Sequence, residues 1–285
     1  MAVNPKGQII RVGAGGESVE KWLNANLDQI QRALPKMVDG TRLARIFATE
    51  IQRVPKLLQC SSASLIGGFL QVSHCGLEIG SHLGQAWLIP FKVKGTMTAT
   101  VVFGYKGLVA LAYRSGIVQN VQAWDVRDAD IFEPPMMGTD PKIVHSPQPK
   151  REESEVVAAY AVVRLLNAPV PNIEWMWRDE IERIMRRSRA FQYADGGRND
   201  SPWHTDFPMM ARKTALRRAL KYVPQTPESR TLHTAINIDE QADANLDQTF
   251  DIGEAVIDIP TDLDHDPAAG EMSEEEERRV FGDDS

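Results

Sequence analysis

The sequence predicts a mixed α+β fold. Helical periodicity runs from Ser18 to Cys75, it gives way to period-2 alternation from Gln85, and both patterns then recur up to Val223. The expected architecture is an antiparallel β-hairpin or sheet packed on helices, with a basic groove and a disordered acidic C-terminal tail. A hydrophobic content of 42% with 25% charge supports a core of ordinary size.

Residues 1–16 are polar and glycine-rich, and read as a flexible start. The GAGG at Gly13 to Gly16 lacks the following Lys-Ser/Thr of a phosphate-binding loop. From Ser18 the chain turns helical: Trp22, Leu23, Leu27 and Ile30 recur on one face, and Leu43, Ile46, Phe47, Ile51 and Val54 continue the habit after the MVDG break. Ser61 to Cys75 predicts another helix, capped by Ser61 or Ser62, with Leu65, Phe69 and Val72 on one face.

Gln85 to Val93 and Thr96 to Phe103 then read as strands joined at Lys94-Gly95, a short hairpin turn. The second strand runs into FGYKGLVALAYRSG, where Gly107 to Ser115 fits a helix of about two turns and Gly116 a left-handed terminator. Ile117 to Arg127, Glu155 to Leu166 and Asn172 to Trp177 are further strands, and Trp175 and Trp177 are expected on opposite faces of the last. Pro134 to Pro149 holds five prolines and reads as a loop. Arg178 to Arg189 is a helix, Asp195 to Trp203 a polar glycine loop, and Pro208 to Val223 a final helix. Beyond Pro224 the chain becomes acidic and low in aromatics, the composition of a disordered or linker segment. The resulting organisation is a start at 1–16, a folded domain at 17–230 and an acidic segment at 231–285.

No run approaches 18 consecutive apolar residues and no secretory signal is visible, so no membrane contact and a cytoplasmic location in a bacterial host are expected. Cys60 and Cys75 form no CxxC pair, and His74, Cys75 and His82 do not supply four convergent zinc ligands, so the cysteines read as buried or free thiols. The net charge of −7 conceals an asymmetry. Residues 231–285 carry 17 Asp/Glu against Arg278 and Arg279, a net of −15, while residues 1–230 carry 30 basic and 22 acidic residues, a net of +8. That layout suits a nucleic-acid binder with a partner-binding extension, and equally an ordinary domain with a solvating tail.

In PMMARKTALRRALKYV each residue advances about 100°. With Lys213 at zero, Arg217 and Lys221 lie near roughly 40° and 80°, beside an apolar stripe of Met209, Leu216, Leu220 and Val223. The three cations are therefore expected at the rim of a groove, although long cationic side chains also flank core stripes for structural reasons alone. Lys106 and Arg114 add a second cationic element about 12 Å long if the intervening residues are helical. No Walker motif accompanies it, which argues against ATP hydrolysis. Hydrolytic chemistry is thinly supported. His204 near Asp206 and Ser201 is no demonstrated triad, and Asp128/Asp130 with Glu152/Glu153 could serve a metal-dependent nuclease or simply flank a charged loop.

The runs GLEIGSHLGQAWLIPF (Gly76 to Phe91), GYKGLVALAYRSG (Gly104 to Gly116), EVVAAYAVVRL and SPWHTDFPMMARKTALRRALKYVP (Ser201 to Pro224) resemble, in that order, the RecT family of phage and prophage recombination proteins. The resemblance implies ATP-independent binding of single-stranded DNA and annealing of complementary strands, by oligomeric rings or helical filaments, on a mixed α+β core with a basic groove and without enzymatic activity. It implies no cofactor, leaving magnesium as a modulator of annealing. Expected partners are single-stranded DNA and the annealed duplex, further copies of the chain, an exonuclease that generates single strands and a host single-strand-binding protein, the last two at the C-terminal region. Residues before Gly76 and the acidic tail depart most from the recognisable pattern. An annealing protein must hold the sugar-phosphate chain and leave base edges free. On that basis Lys106, Arg114, Lys213, Arg217 and Lys221 are the expected phosphate contacts, followed by Lys92, Lys94, Arg187 and Arg189. Tyr105, Trp203 and His204 are expected to line the groove or fix its loops. A metal-dependent nuclease and a protein-interaction module with an acidic partner are the alternatives.

Overall fold

A computed structural model describes residues 14–34, 38–80, 82–93, 96–136, 138–194, 201–244, 246 and 248. Residues 1–13, Lys94 with its turn, the centre of the polar loop at 195–200 and the acidic segment beyond residue 248 lie outside them. The described residues form the mixed α+β fold that the periodicity implies, divided into two compact units. Among the described residues, one comprises those within 14–82 and 88–101, the other those within 83–87 and 102–248.

In the first unit, α1 (Ala14–Ala25), α2 (Leu27–Ala33), α3 (Gly40–Arg53) and α4 (Ser62–His74) precede most of a two-stranded sheet, β1 (Ala86–Val93) with β2 (Thr96–Phe103). Helix α3 starts where the Asp39 carboxylate accepts from the Thr41 and Arg42 amides, at 2.9 and 3.3 Å, satisfying two otherwise orphan donors. It buries Leu43, Ala44, Phe47, Ala48 and Ile51, and Phe47 stacks on Phe69 of α4 with ring centroids 4.9 Å apart. Ser61 caps α4, and Ser64 on its first turn accepts from the Ala99 amide of β2 at 3.0 Å. Gly68 brings helix and strands together, because a Cβ there would lie 2.6 Å from Leu88 and 3.2 Å from Val101. Both cysteines are buried and free, and burial pushes the Cys60 thiol up to about 12.

The second unit is built on a three-stranded antiparallel sheet in the order β3 (Val118–Arg127), β6 (Val156–Leu165), β7 (Asn172–Trp177). Its register places Trp124 opposite Tyr160 and Tyr160 opposite Trp175. Helix α9 (Phe207–Leu220) lies across all three strands, and its fully buried Ala211, Ala215 and Ala219 recur at i, i+4, i+8. Ala159 and Ala161 of β6 are equally buried, so small residues meet and the helix sits close to the sheet. Between β2 and β3 runs α5 (Tyr105–Arg114), followed by Gly116 at φ +70°, the left-handed terminator expected there. After β7 come α6 (Arg178–Arg187), α7 (Arg189–Ala194) and the short α8 (Pro202–Thr205) that leads into α9.

Three expectations are corrected. The proline-rich stretch is a hairpin, β4 (Ile131–Met136) paired with β5 (Lys142–Ser146). Pro134 and Pro135 fall where the register shifts between Glu133 and Met136, and a two-stranded ribbon tolerates residues that cannot donate to a ladder. Trp175 and Trp177 share one face, their rings 4.7 Å apart edge-on, with Met176 buried on the other, as period 2 requires. Residues past Pro224 do not all form a linker. Ser229 donates to the Pro224 carbonyl at 2.6 Å and α10 (Arg230–Asp243) follows, burying Leu232, Ala235, Ile236, Ile238 and Ala242. Its acids obscured this apolar face in the composition.

The glycines that open α5 fix its place. The Gly104 amide donates to the Gln85 carbonyl at 2.8 Å, and a Cβ on Gly107 would stand 2.3 Å from the same oxygen. Backbone cannot yield as a flexible side chain would. Gly107→Ala should therefore cost about 1–3 kcal/mol despite alanine's better helix propensity. A urea-unfolding midpoint equal to wild type would contradict the close approach.

Candidate nucleic-acid interface

Two buried carboxylates fix the cations of α9. On the sheet side, Asp125 of β3 is fully buried and receives Arg212 Nε at 2.5 Å, with Arg212 Nη2 paired to the same oxygen, while Arg127 Nε binds its other oxygen at 2.8 Å. Burial pushes the Asp125 carboxyl up, but Arg127, Arg212 and Arg151 outweigh it and hold the group below the usual carboxylate range. Nearby Asp130 accepts from Arg151, from the Arg127 and Gln148 amides and pairs with His145, so its oxygens are fully engaged.

On the opposite side stands Asp239 of α10, 1% exposed. It accepts from Lys213 Nζ at 3.0 Å, from Arg217 Nη1 at 2.6 Å and from the Phe103 amide at the end of β2 at 3.0 Å. Burial again raises the carboxyl and the two cations outweigh it, so Asp239 stays ionised below the ordinary carboxylate range. Arg217 also binds Asp243 at 2.5 Å, and Lys221 pairs with Glu240. The cationic stripe of α9 thus runs beside an acidic stripe of α10 spaced to meet it.

That pairing changes the rim geometry expected from the helical wheel. Arg217 is 7% exposed and acts as an internal tie, Lys213 is partly exposed, and Lys221 is exposed but paired. Trp203 is buried, Arg189 is buried, and His204 stacks on Phe191 with centroids 4.8 Å apart, so all three support the chain around α7 and α8. Lys106 and Arg114 occupy opposite ends of α5 and are exposed, as are Arg187 on α6 and Lys92 on β1. Lys94 lies outside the described residues.

Among the described residues of this unit, grooves flank α9 on two sides. One, of about 850 Å³ between α6, α9 and α10, carries Arg183, Arg187, Arg218 and Lys221 interleaved with Glu180, Glu240 and Asp243. The other, of about 270 Å³, is walled by Tyr105 and Val109 of α5, Val121 and Ala123 of β3, and Met209, Arg212, Lys213 and Leu216 of α9. Among the described residues no carboxylate lines the second, and Asp125 and Asp239 stand behind its two cations. A phosphate chain is repelled by interleaved acids, so the smaller groove is the better polyanion site. It unites Tyr105 and Lys213, which the sequence singled out, with Arg212, which it did not. Trp124 was missed too: it is 38% exposed, with the Arg212 guanidinium 6.0 Å from its ring centre.

The model of the RecT family matches residues 41–252. The chain belongs to that family. It is 36% identical over 224 residues to Protein RecT of Escherichia coli strain K12, covering 77% of this chain and 78% of that protein. It is also 26% identical over 157 residues to the uncharacterized protein YqaK of Bacillus subtilis strain 168, where the match spans 55% of this chain and half of the relative's length. The RecT-family match begins well before Gly76 and extends past α10, so α3, α4 and the acidic stripe of α10 belong to the matched region.

The two carboxylates set a pH dependence. Their folded pKa values lie below the unfolded value of about 4, so their contribution is complete above that pH and is lost as pH falls through the depressed values. Asp239→Asn leaves Lys213 and Arg217 without their shared partner, which should cost about 3–5 kcal/mol at neutral pH. The loss should shrink in urea titrations carried to pH 2.5. A variant as stable as wild type at pH 7 would show that the α9–α10 pairing contributes nothing.

Proposed function

We propose that this protein binds single-stranded DNA without ATP and anneals complementary strands in phage-type homologous recombination, acting as a homo-oligomeric ring or filament in the bacterial cytoplasm. Family membership supports the class of activity. The observation that carries the residue-level reading is the acid-free groove between α5, β3 and α9, where Arg212 and Lys213 stand over an apolar floor. Cations fixed by buried carboxylates lose little rotational freedom when a phosphate arrives. Lys106, one residue from groove-lining Tyr105 and without a carboxylate partner among the described residues, extends the path along α5. Arg114 continues it at the far end of the helix.

In this reading Arg217 serves the site indirectly, by holding α9 to α10, while Arg187 and Lys221 border the other groove. Each subunit grips a few nucleotides weakly, and affinity grows when neighbouring subunits share one strand. An exonuclease and a host single-strand-binding protein are the partners proposed for the C-terminal region. Magnesium enters only as a counter-ion that screens the two strands, and no bond-breaking step is assigned to the protein.

Lys106→Ala is the cleanest test, because no internal carboxylate is orphaned by the change. At low salt the wild-type protein should bind an unstructured oligonucleotide and accelerate pairing of complementary strands without ATP. The variant should bind all sequences more weakly, with the slope of log K against log salt reduced by about 0.7, the loss of one single-strand phosphate contact. Absence of annealing by wild type, or an unchanged slope in the variant, would refute the proposal at the level of function or of site respectively.

A further inference from the structure

Resting on the single-strand reading above, we propose that Trp124, on edge strand β3 and on the sheet face opposite groove-lining Val121 and Ala123, is a nucleobase-stacking subsite reached around the strand edge from the α5–β3–α9 groove. Trp124 lies on edge strand β3, in register with Tyr160 and through it with Trp175. Tyr160 is 6% exposed and Phe132 stacks on Trp175 at 4.6 Å, so this aromatic row is packed at its centre and open at its Trp124 end. His145 meets the Trp124 ring edge-on at 6.4 Å, which fixes the indole from the inside.

The link to the groove is Arg212. Two of its nitrogens are taken by Asp125 and Nη1 lies 3.9 Å from the Met209 sulfur, which fixes the guanidinium where it lines the groove with its carbon 6.0 Å from the Trp124 ring centre. A phosphate bound by Arg212 and Lys213 would bring the attached base beside the open part of the indole. The chemistry suits annealing for a specific reason. Stacking engages the π face of a base, is tolerant of sequence, and leaves the Watson–Crick edge free for a complementary strand. A hydrogen-bonding side chain in the same place would compete with the incoming base.

Fluorescence anisotropy separates this role from one confined to supporting Arg212. Wild type, Trp124→Ala, Trp124→Phe and Arg212→Ala are titrated across a salt series with an oligo-dT and with an abasic oligonucleotide of equal length. Stacking predicts that wild type loses about five- to a hundred-fold in affinity on the abasic strand. Trp124→Ala should lose a similar factor on oligo-dT, bind the two strands alike and keep the wild-type salt slope, and Trp124→Phe should recover most of the loss. Arg212→Ala should instead lower the slope. Equal wild-type affinity for both strands would overturn the subsite, and needs no variant to fold. So would a Trp124→Ala slope lowered as far as that of Arg212→Ala, or a phenylalanine variant no better than alanine. A wild type that binds neither strand at low salt would overturn the single-strand reading itself, and the subsite with it.

Discussion

Buried charge on either side of α9 is the constraint from which the rest of this unit follows. A carboxylate withdrawn from water is tolerated only when cations and amides replace its hydration. Asp125 and Asp239 meet that condition through one helix: the first takes Arg212, the second takes Lys213 and Arg217. Helix α9 is thereby fixed in rotation as well as in depth. Its alanines lie against the sheet, and its cations are divided between the strand edge and α10.

The function assigned to the groove depends on that division. A flexible lysine or arginine pays rotamer entropy when it binds a phosphate, whereas a guanidinium already held by a carboxylate has lost that freedom on folding. The same carboxylates partly neutralise the cations they orient. The proposed site therefore trades binding strength per subunit for geometry, which agrees with the proposal that several subunits share one strand. Its apolar floor of Val121, Ala123 and Leu216 lowers the local dielectric and strengthens each remaining electrostatic contact.

The local structure of the chain was largely legible from its period and punctuation. Ser61 as a cap, Gly116 as a terminator and the β1, β2, β3, β6 and β7 runs all follow from propensities that act within a few residues. What escaped was non-local. Arg212 points away from the Lys213 stripe on a helical wheel, and only the fold brings it to an aspartate 87 residues away. Asp239 and Asp243 looked like tail charge because composition weighs an acid equally whether it is solvated or buried against arginine. The β4–β5 hairpin was hidden by two prolines, which an isolated ribbon accommodates at a bulge.

The central claim is that the sugar-phosphate chain of single-stranded DNA runs along the α5 side of α9. Lysine acylation footprinting with and without an oligo-dT tests it most directly, because Lys106 is exposed on the first turn of α5, next in sequence to groove-lining Tyr105, and Lys142, on β5, is an exposed control. The account predicts that saturating oligonucleotide protects Lys106 and leaves Lys142 as reactive as before. Full reactivity of Lys106 in the saturated complex would contradict it.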